Sequence, residues 1–154
     1  MNLDSPFRFK IGFNLYPPLL FNRTSCVRVT NDFLEADVKL RFSLLNRNFN
    51  GSTFGGSIFM ASDPYYPFMY RAALSHRHIR AQAWLKQAEI SYLKPVHSDL
   101  LYQFKLTLED MDAAETSLRE TGRYQNWNIV EATDKEGNIC ARVRLLSYLR
   151  SSDN

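Results

Sequence analysis

Asn48-Phe49-Asn50-Gly51-Ser52-Thr53-Phe54-Gly55-Gly56-Ser57-Ile58-Phe59-Met60-Ala61-Ser62-Asp63-Pro64 is the stretch on which the reading of this chain turns. Gly51 permits a tight bend, Thr53 is a helix-capping residue type, and the Gly55-Gly56 pair lets another group approach the backbone closely. A helix opened this way directs free N–H groups outward, and such donors suit an anion or a polarised carbonyl oxygen. The same residues also spell an ordinary glycine-rich turn into a core helix. Downstream, Tyr65, Tyr66, Phe68, Met69, Tyr70, Ala72, Ala73 and Leu74 continue a helical pattern that Pro64 and Pro67 interrupt. The expectation is one long apolar helix over Gly55–Leu74 that either kinks at Asp63 or restarts there, with Asp63 as cap and Pro64 in the first position.

Strand patterns lie on both sides. Upstream, Cys26 to Thr30 alternates and Asn31-Asp32 supplies a turn. Ala36, Val38, Leu40, Phe42 and Leu44 then face one way while Asp37, Lys39, Arg41 and Ser43 face the other, which predicts a half-buried antiparallel strand. Downstream, strands are predicted over Gln82 to Pro95, Asp99 to Leu108, Tyr124 to Thr133 and Ile139 to Leu149. A short helix is predicted over Asp110 to Thr121, ended by Gly122, and a hairpin turn at Asp134 to Asn138. Strands with one apolar face need a cover, and the Gly55–Leu74 segment is the apolar candidate. The expected architecture is therefore α+β, a curled antiparallel sheet wrapped around a long central helix. Residues 1–23, broken by Pro17-Pro18, are expected to form a helical extension packed on a single domain over 24–150.

Composition narrows the function. At 154 residues the chain suits one domain, and 19 basic against 16 acidic side chains leave a net charge of +3, too slight to indicate a nucleic-acid partner. Cys26 and Cys140 are isolated, which favours a reducing cytoplasm, and nothing approaches the about 20 apolar residues of a membrane span. Disorder is expected only over Ser151-Ser152-Asp153-Asn154. No metal site is expected, because apart from His76-x-His78 the histidines and cysteines lack ligand spacing. Ser57 sits in no Gly-x-Ser-x-Gly elbow.

The joint spacing of Asn48, Gly51, Gly55, Gly56 and Asp63 resembles the hotdog-fold superfamily, in particular its acyl-CoA thioesterases of the phenylacetyl-CoA kind. Many of those carry Asn-x-x-Gly-x-x-His-Gly-Gly with an Asp seven residues after the last Gly. Phe54 stands here where the His would be. Ile90-Ser91-Tyr92-Leu93-Lys94-Pro95 is similar to the strand that follows the central helix in that superfamily, and the element order matches over about residues 24–149. The chain is closer still to a branch with Phe-Gly-Gly-Ser in place of His-Gly-Gly and Asp-Pro on the helix. The resemblance implies hydrolysis of an acyl-CoA thioester, with coenzyme A as part of the substrate and no separate cofactor. It also implies a homodimer in which the donors of one copy face the acidic residue of the other, with association of two dimers left open.

Thioester hydrolysis needs donors aimed at the carbonyl oxygen, which gains negative charge, and a base or nucleophile on the other side. Gly55 and Gly56 amides are the candidate donors. Asp63 is the candidate base or nucleophile, with helix cap as its competing role. Asn48 is a candidate for orienting water or the carbonyl, with turn residue as its competing role. Seven residues of helix at ~1.5 Å each separate Gly56 from Asp63 by about 10 Å, too far for one helix to present both to one carbonyl. Phe54, Ser57 and Tyr66 are candidates for the acyl-binding surface, and Arg77 and Arg80 for the phosphates of coenzyme A. A non-catalytic binder of acyl-CoA or an acyl carrier is the alternative, because Phe54 cannot donate a hydrogen bond.

Overall fold

The computed structural model describes residues 5–152. Residues 1–4 of the expected extension and 153–154 of the expected tail lie outside the described residues. The chain opens with α1 (Pro6–Leu15) and α2 (Pro17–Phe21), followed by β1 (Thr24–Val29) and β2 (Glu35–Leu40). Next come α3 (Gly55–Met60), α4 (Tyr65–His76), β3 (Ala81–Tyr92) and β4 (Leu100–Lys105), and then α5 (Leu108–Thr121), β5 (Arg123–Thr133) and β6 (Ile139–Ser151). The six strands form one antiparallel sheet in the order β1-β2-β4-β5-β6-β3.

The strand alternation does what it predicts on the inner face. Ala36, Val38 and Leu40 of β2, Leu100, Tyr102 and Phe104 of β4, and Ala141, Val143 and Leu145 of β6 are all buried. Against them lies α4, whose Tyr65, Tyr66, Met69, Tyr70, Ala73 and Leu74 are buried as well. Full burial of a large apolar side chain contributes about 1.5–3 kcal/mol, so this helix is the centre of the core. The Asp134–Asn138 turn joins β5 to β6, with Gly137 at φ 81° where only glycine is at ease.

Element ends depart from the alternation wherever a side chain captures the backbone. β2 stops at Leu40 rather than running to Leu44. The Phe42 amide donates to Asp99 Oδ1 (2.9 Å), and Ser43 and Asn46 form a reciprocal capping box around a 3-10 turn over Leu44–Asn46, leaving Leu44 exposed. Likewise β4 ends at Lys105. Thr107 Oγ1 accepts from the Asp110 amide (3.0 Å) and Asp110 Oδ2 from the Thr107 amide (2.9 Å), which starts α5 at Leu108 and puts that leucine in solvent rather than on the inner face. With 14 residues, α5 is longer than the 12-residue α4, the reverse of the expected short and long helices. Gly122, at φ 71°, ends it as expected.

The expected single helix is two. Between α3 and α4 the chain breaks at Ala61–Pro64, and Pro64, not Asp63, occupies the capping position, with no side-chain cap bond. Pro67 falls in the first turn of α4, where its missing N–H has no partner to lose, so that proline does not interrupt the helix. The expected disorder at Ser151 and Ser152 is also corrected: their amides donate to the carbonyls of Gly122 and Arg80, both at 2.9 Å.

At the start, the Ser5 side chain caps α1 and Pro17 opens α2. Phe9 and Phe13 bury their rings, Phe9 against Phe33 and Phe13 against Tyr65 and Phe68. Asn14 fixes the helix to β1: its Oδ1 accepts from the Cys26 amide (2.7 Å) and its Nδ2 donates to the Cys26 carbonyl (3.2 Å).

Candidate active site

The break that separates α3 from α4 exposes a carboxylate to a cavity. An open groove of about 960 Å³ runs along β3 from Ala81 to Leu85, walled by α1 and α2 through Phe13 and Leu19 and by the α3–α4 junction through Met60 and Asp63. Asp63 is half-buried there, and its carboxylate accepts no hydrogen bond from any described residue. Burial pushes its pKa above the ordinary carboxylate value. That is the direction that makes a carboxylate a stronger base, and the opposite of what a capping role would have done.

Arg71 and Trp84 also line the groove, Arg71 with its guanidinium 5.8 Å from the centre of the Phe68 ring. Neither stands out in the sequence. Arg71 is one cation in an apolar helix, and Trp84 is an aromatic on the exposed side of a strand, opposite Tyr148 in the register and stacked on it at 6.0 Å.

The glycine corner lies apart from the groove. The amides of Gly55 and Gly56 open α3 and donate to no described residue, while the Gly55 carbonyl accepts from Tyr92 Oη at 2.9 Å. A Cβ on Gly55 would stand 3.0 Å from Tyr92 Cζ, and one on Gly56 would stand 2.4 Å from Phe54 Cε1. Both glycines are therefore demanded by close approach, and the exposed Phe54 ring lies against Gly56 instead of lining the groove.

The remaining candidates are placed as follows. Asn48 organises the turn: its Oδ1 accepts from the amides of Asn50 (2.9 Å) and Ser52 (3.1 Å), and its Nδ2 donates to Ser52 Oγ (2.9 Å). Ser57 is buried, with its carbonyl accepting from Asn22 Nδ2 at 3.0 Å. Tyr66 is a core residue whose hydroxyl donates to the Ile129 carbonyl at 2.7 Å. Arg77 Nη1 bonds Asp112 (2.6 Å) and Glu115 (3.0 Å), tying α4 to α5. Arg80 is exposed just before β3, and its carbonyl holds Ser152. Within one chain, then, the fold gathers Phe54, Gly55, Gly56 and Ser57 at one corner and Asp63 at another.

Other chemistry is thinly provided. Burial pushes the Cys26 thiol up to about 12, which leaves it a poor nucleophile, and among the described residues no three His, Cys, Asp or Glu side chains gather as a metal site.

Comparison with solved structures finds the same fold repeatedly. A protein of unknown function from Pseudomonas aeruginosa, described as a probable thioesterase, superposes with a TM-score of 0.83 at 17% identity, covering 96% of this chain and 99% of that one. A protein of unknown function from Chlorobaculum tepidum gives 0.80 at 12% identity, covering 97% and 99%. A thioesterase from Haemophilus influenzae gives 0.70 at 8% identity, covering 97% and 93%. Identities this low establish a shared fold, one that thioesterases use. No curated protein matches the sequence. A family model described as a domain of unknown function, DUF4442, matches residues 8–149, and the chain belongs to that family.

Proposed function

We propose that the protein is an acyl-CoA thioesterase of the hotdog fold that works as a homodimer in the cytoplasm. The observation that carries this reading is Asp63: an unpartnered carboxylate, made more basic by burial, at the wall of an apolar groove open to one edge of the sheet. Asp63 takes a proton from water as that water attacks the thioester carbon. The carbonyl oxygen gains negative charge and accepts hydrogen bonds from the amides of Gly55 and Gly56; the C–S bond then breaks and the proton held by Asp63 passes to the departing sulfur, releasing the acid and coenzyme A as its thiol. A single such donor is worth about 10²–10³ in rate.

The separation of the two corners supports the second copy. Asp63 lines the groove and Gly55 and Gly56 do not, so donors and base on one carbonyl come from different chains. A partner seated on the open edge of β3 supplies the donors to the groove. The apolar walls suit an acyl chain, and Arg71 suits the phosphates of coenzyme A. Arg77 and Tyr66 have partners elsewhere, and Arg80 does not line the groove, so these three are left out of substrate binding.

One observation favours a second reading, a binder that does not cleave. The Phe54 ring lies over Gly56, next to the amide that would receive the oxyanion. A panel of acyl-CoAs of increasing chain length, with a thiol reagent reporting release of coenzyme A, separates the two. Thiol release that Asp63→Asn abolishes supports hydrolysis. Tight calorimetric binding without turnover supports the binder, and full activity in Asp63→Asn rejects Asp63 as the base.

A further inference from the structure

A helix with apolar residues on two opposite faces buries only one of them when it lies on the surface, as α1 does. At about 100° per residue, Phe7, Ile11 and Leu15 form a stripe centred opposite the buried Phe9 and Phe13. These outward residues are 71%, 43% and 66% exposed. Arg8 and Lys10 fall on the two flanks of that stripe. The apolar surface continues through Leu20 and Phe21 of α2, and from there to Leu44 and Leu45, all exposed. The two segments are adjacent, because Asn46 Nδ2 donates to the Asn22 carbonyl (3.0 Å) and the Arg41 amide to the Arg23 carbonyl (3.0 Å).

Charge selects what covers this face. Residues 5–31 and 41–62 contain no Asp or Glu, although they carry six cations: Arg8, Lys10, Arg23, Arg28, Arg41 and Arg47. Arg28 is occupied by Glu35 and Asp37, whereas Arg8, Lys10, Arg23 and Arg47 make no ion pair with any described residue. A second copy docked by the same face would set these cations against one another, since a two-fold interface repeats each patch on both sides. An anionic lipid surface accepts both features at once, with phenylalanine and leucine side chains entering the acyl boundary and arginine and lysine lying along the headgroups.

We infer that the outer face of α1 and α2, with the Leu44-Leu45 turn, is a docking surface for anionic phospholipid membranes. The inference does not depend on thioester hydrolysis. It does place the groove usefully, because Phe13 and Leu19 form the inner side of the same helical pair and wall the cavity. A membrane on one side of α1–α2 puts a source of apolar acyl chains within one helix diameter of the groove, about 10 Å.

Flotation of the full chain with vesicles tests this, using phosphatidylcholine alone and a mixture of about three parts phosphatidylcholine to one part phosphatidylglycerol. The chain is expected to float with the mixed vesicles and not with phosphatidylcholine alone, and to dissociate as salt is raised. Each cation near such a surface is worth about fivefold in partitioning, so Arg8→Glu/Lys10→Glu should lower it by tenfold or more. Phe7→Ser/Ile11→Ser/Leu15→Ser should do the same, and both variants should still unfold cooperatively because each altered side chain is at least partly open to solvent. Absence of flotation with the mixed vesicles overturns the inference, as does equal flotation with both compositions or undiminished flotation of both variants. A fall in solution mass for the triple variant, without vesicle binding by the parent, overturns it in favour of a second copy on this face.

Discussion

Along β1 the outer edge of the sheet meets α1, whose Asn14 gives the Cys26 backbone the donor and acceptor that a neighbouring strand would have given. Along β3, at the other end of the strand order, twelve residues run from Ala81 to Tyr92 with β6 on one side, and the groove borders the first five of them, Ala81 to Leu85. An unpaired edge is a template for another strand, and folds normally blunt it with a helix, a charge or a bulge. This chain covers one edge with its own first helix and leaves the other without a strand paired to it among the described residues, interrupted only by the bulge at Lys86, beside its one unpartnered groove carboxylate. Closure of β1 is therefore a matter of folding, and closure of β3 is where function is expected, since the proposed partner copy would sit there.

The sharpest way to break this contrast is Asp63→Asn. Under the proposed mechanism kcat/KM falls by about 10²–10⁴, the span of a general base. Stability should move the other way. Burial raises the native-state pKa of Asp63 above its unfolded value, so the protonated form favours the folded chain. The cost of the buried charge is absent below the unfolded carboxylate pKa, grows through the interval up to the folded one, and is fully present above it. Asp63→Asn should therefore melt higher than the parent at neutral pH, and the gap should close as the pH drops into the ordinary carboxylate range. Thermal melts of the pair across pH measure this. A lower melting temperature at neutral pH would show that the carboxylate holds the fold together rather than being strained by it.

Trp84→Lys probes the bare edge itself. A lysine on an edge strand discourages pairing, so sedimentation equilibrium should show the dimer constant weakened by about tenfold or more, with thiol release declining as the protein is diluted. Because Trp84 is half-exposed and stacks on Tyr148 alone, the monomer should still fold. An unchanged mass would remove the partner copy from the β3 edge.

At the closed edge, Asn14→Ala strips both hydrogen bonds from the Cys26 backbone. Unsatisfied groups of this kind cost about 1–3 kcal/mol, which a denaturation midpoint will report, while the rate of thiol release per folded molecule should hold.

These contrasts also show which parts of the molecule could be read from its residues. Alternation located every strand, because Ala36, Val38 and Leu40, or Leu100, Tyr102 and Phe104, repeat with the two-residue period of a sheet buried on one face. It could not locate the ends at Leu40 and Lys105, where Ser43 with Asn46 and Thr107 with Asp110 trade strand for helix through side-chain bonds that carry no hydrophobic signal. Pro67 misled for a similar reason, since a proline breaks a helix only beyond its first turn. At the site, spacing singled out Asp63 but not its surroundings. The groove joins α1, the α3–α4 junction and β3, segments tens of residues apart that meet only once the sheet has curled, so Arg71 and Trp84 had no local pattern to betray them.

Arg77 closes the series with the smallest effect. Its sequence position makes it a candidate for the phosphates of coenzyme A, but its guanidinium is held by Asp112 and Glu115 of α5, and the Asp112 hydrogen bond first of all raises its pKa further. A partly exposed pair of this sort is worth about 0–1 kcal/mol, because water screens the attraction and two side chains lose freedom. Arg77→Ala should thus lower the melting temperature slightly and leave the KM for acyl-CoA where it was, whereas Arg71→Ala at the groove should raise that KM severalfold. If the two substitutions exchanged these outcomes, the coenzyme would lie against α5 and not along the bare edge, and the contrast between the two edges would lose its functional meaning.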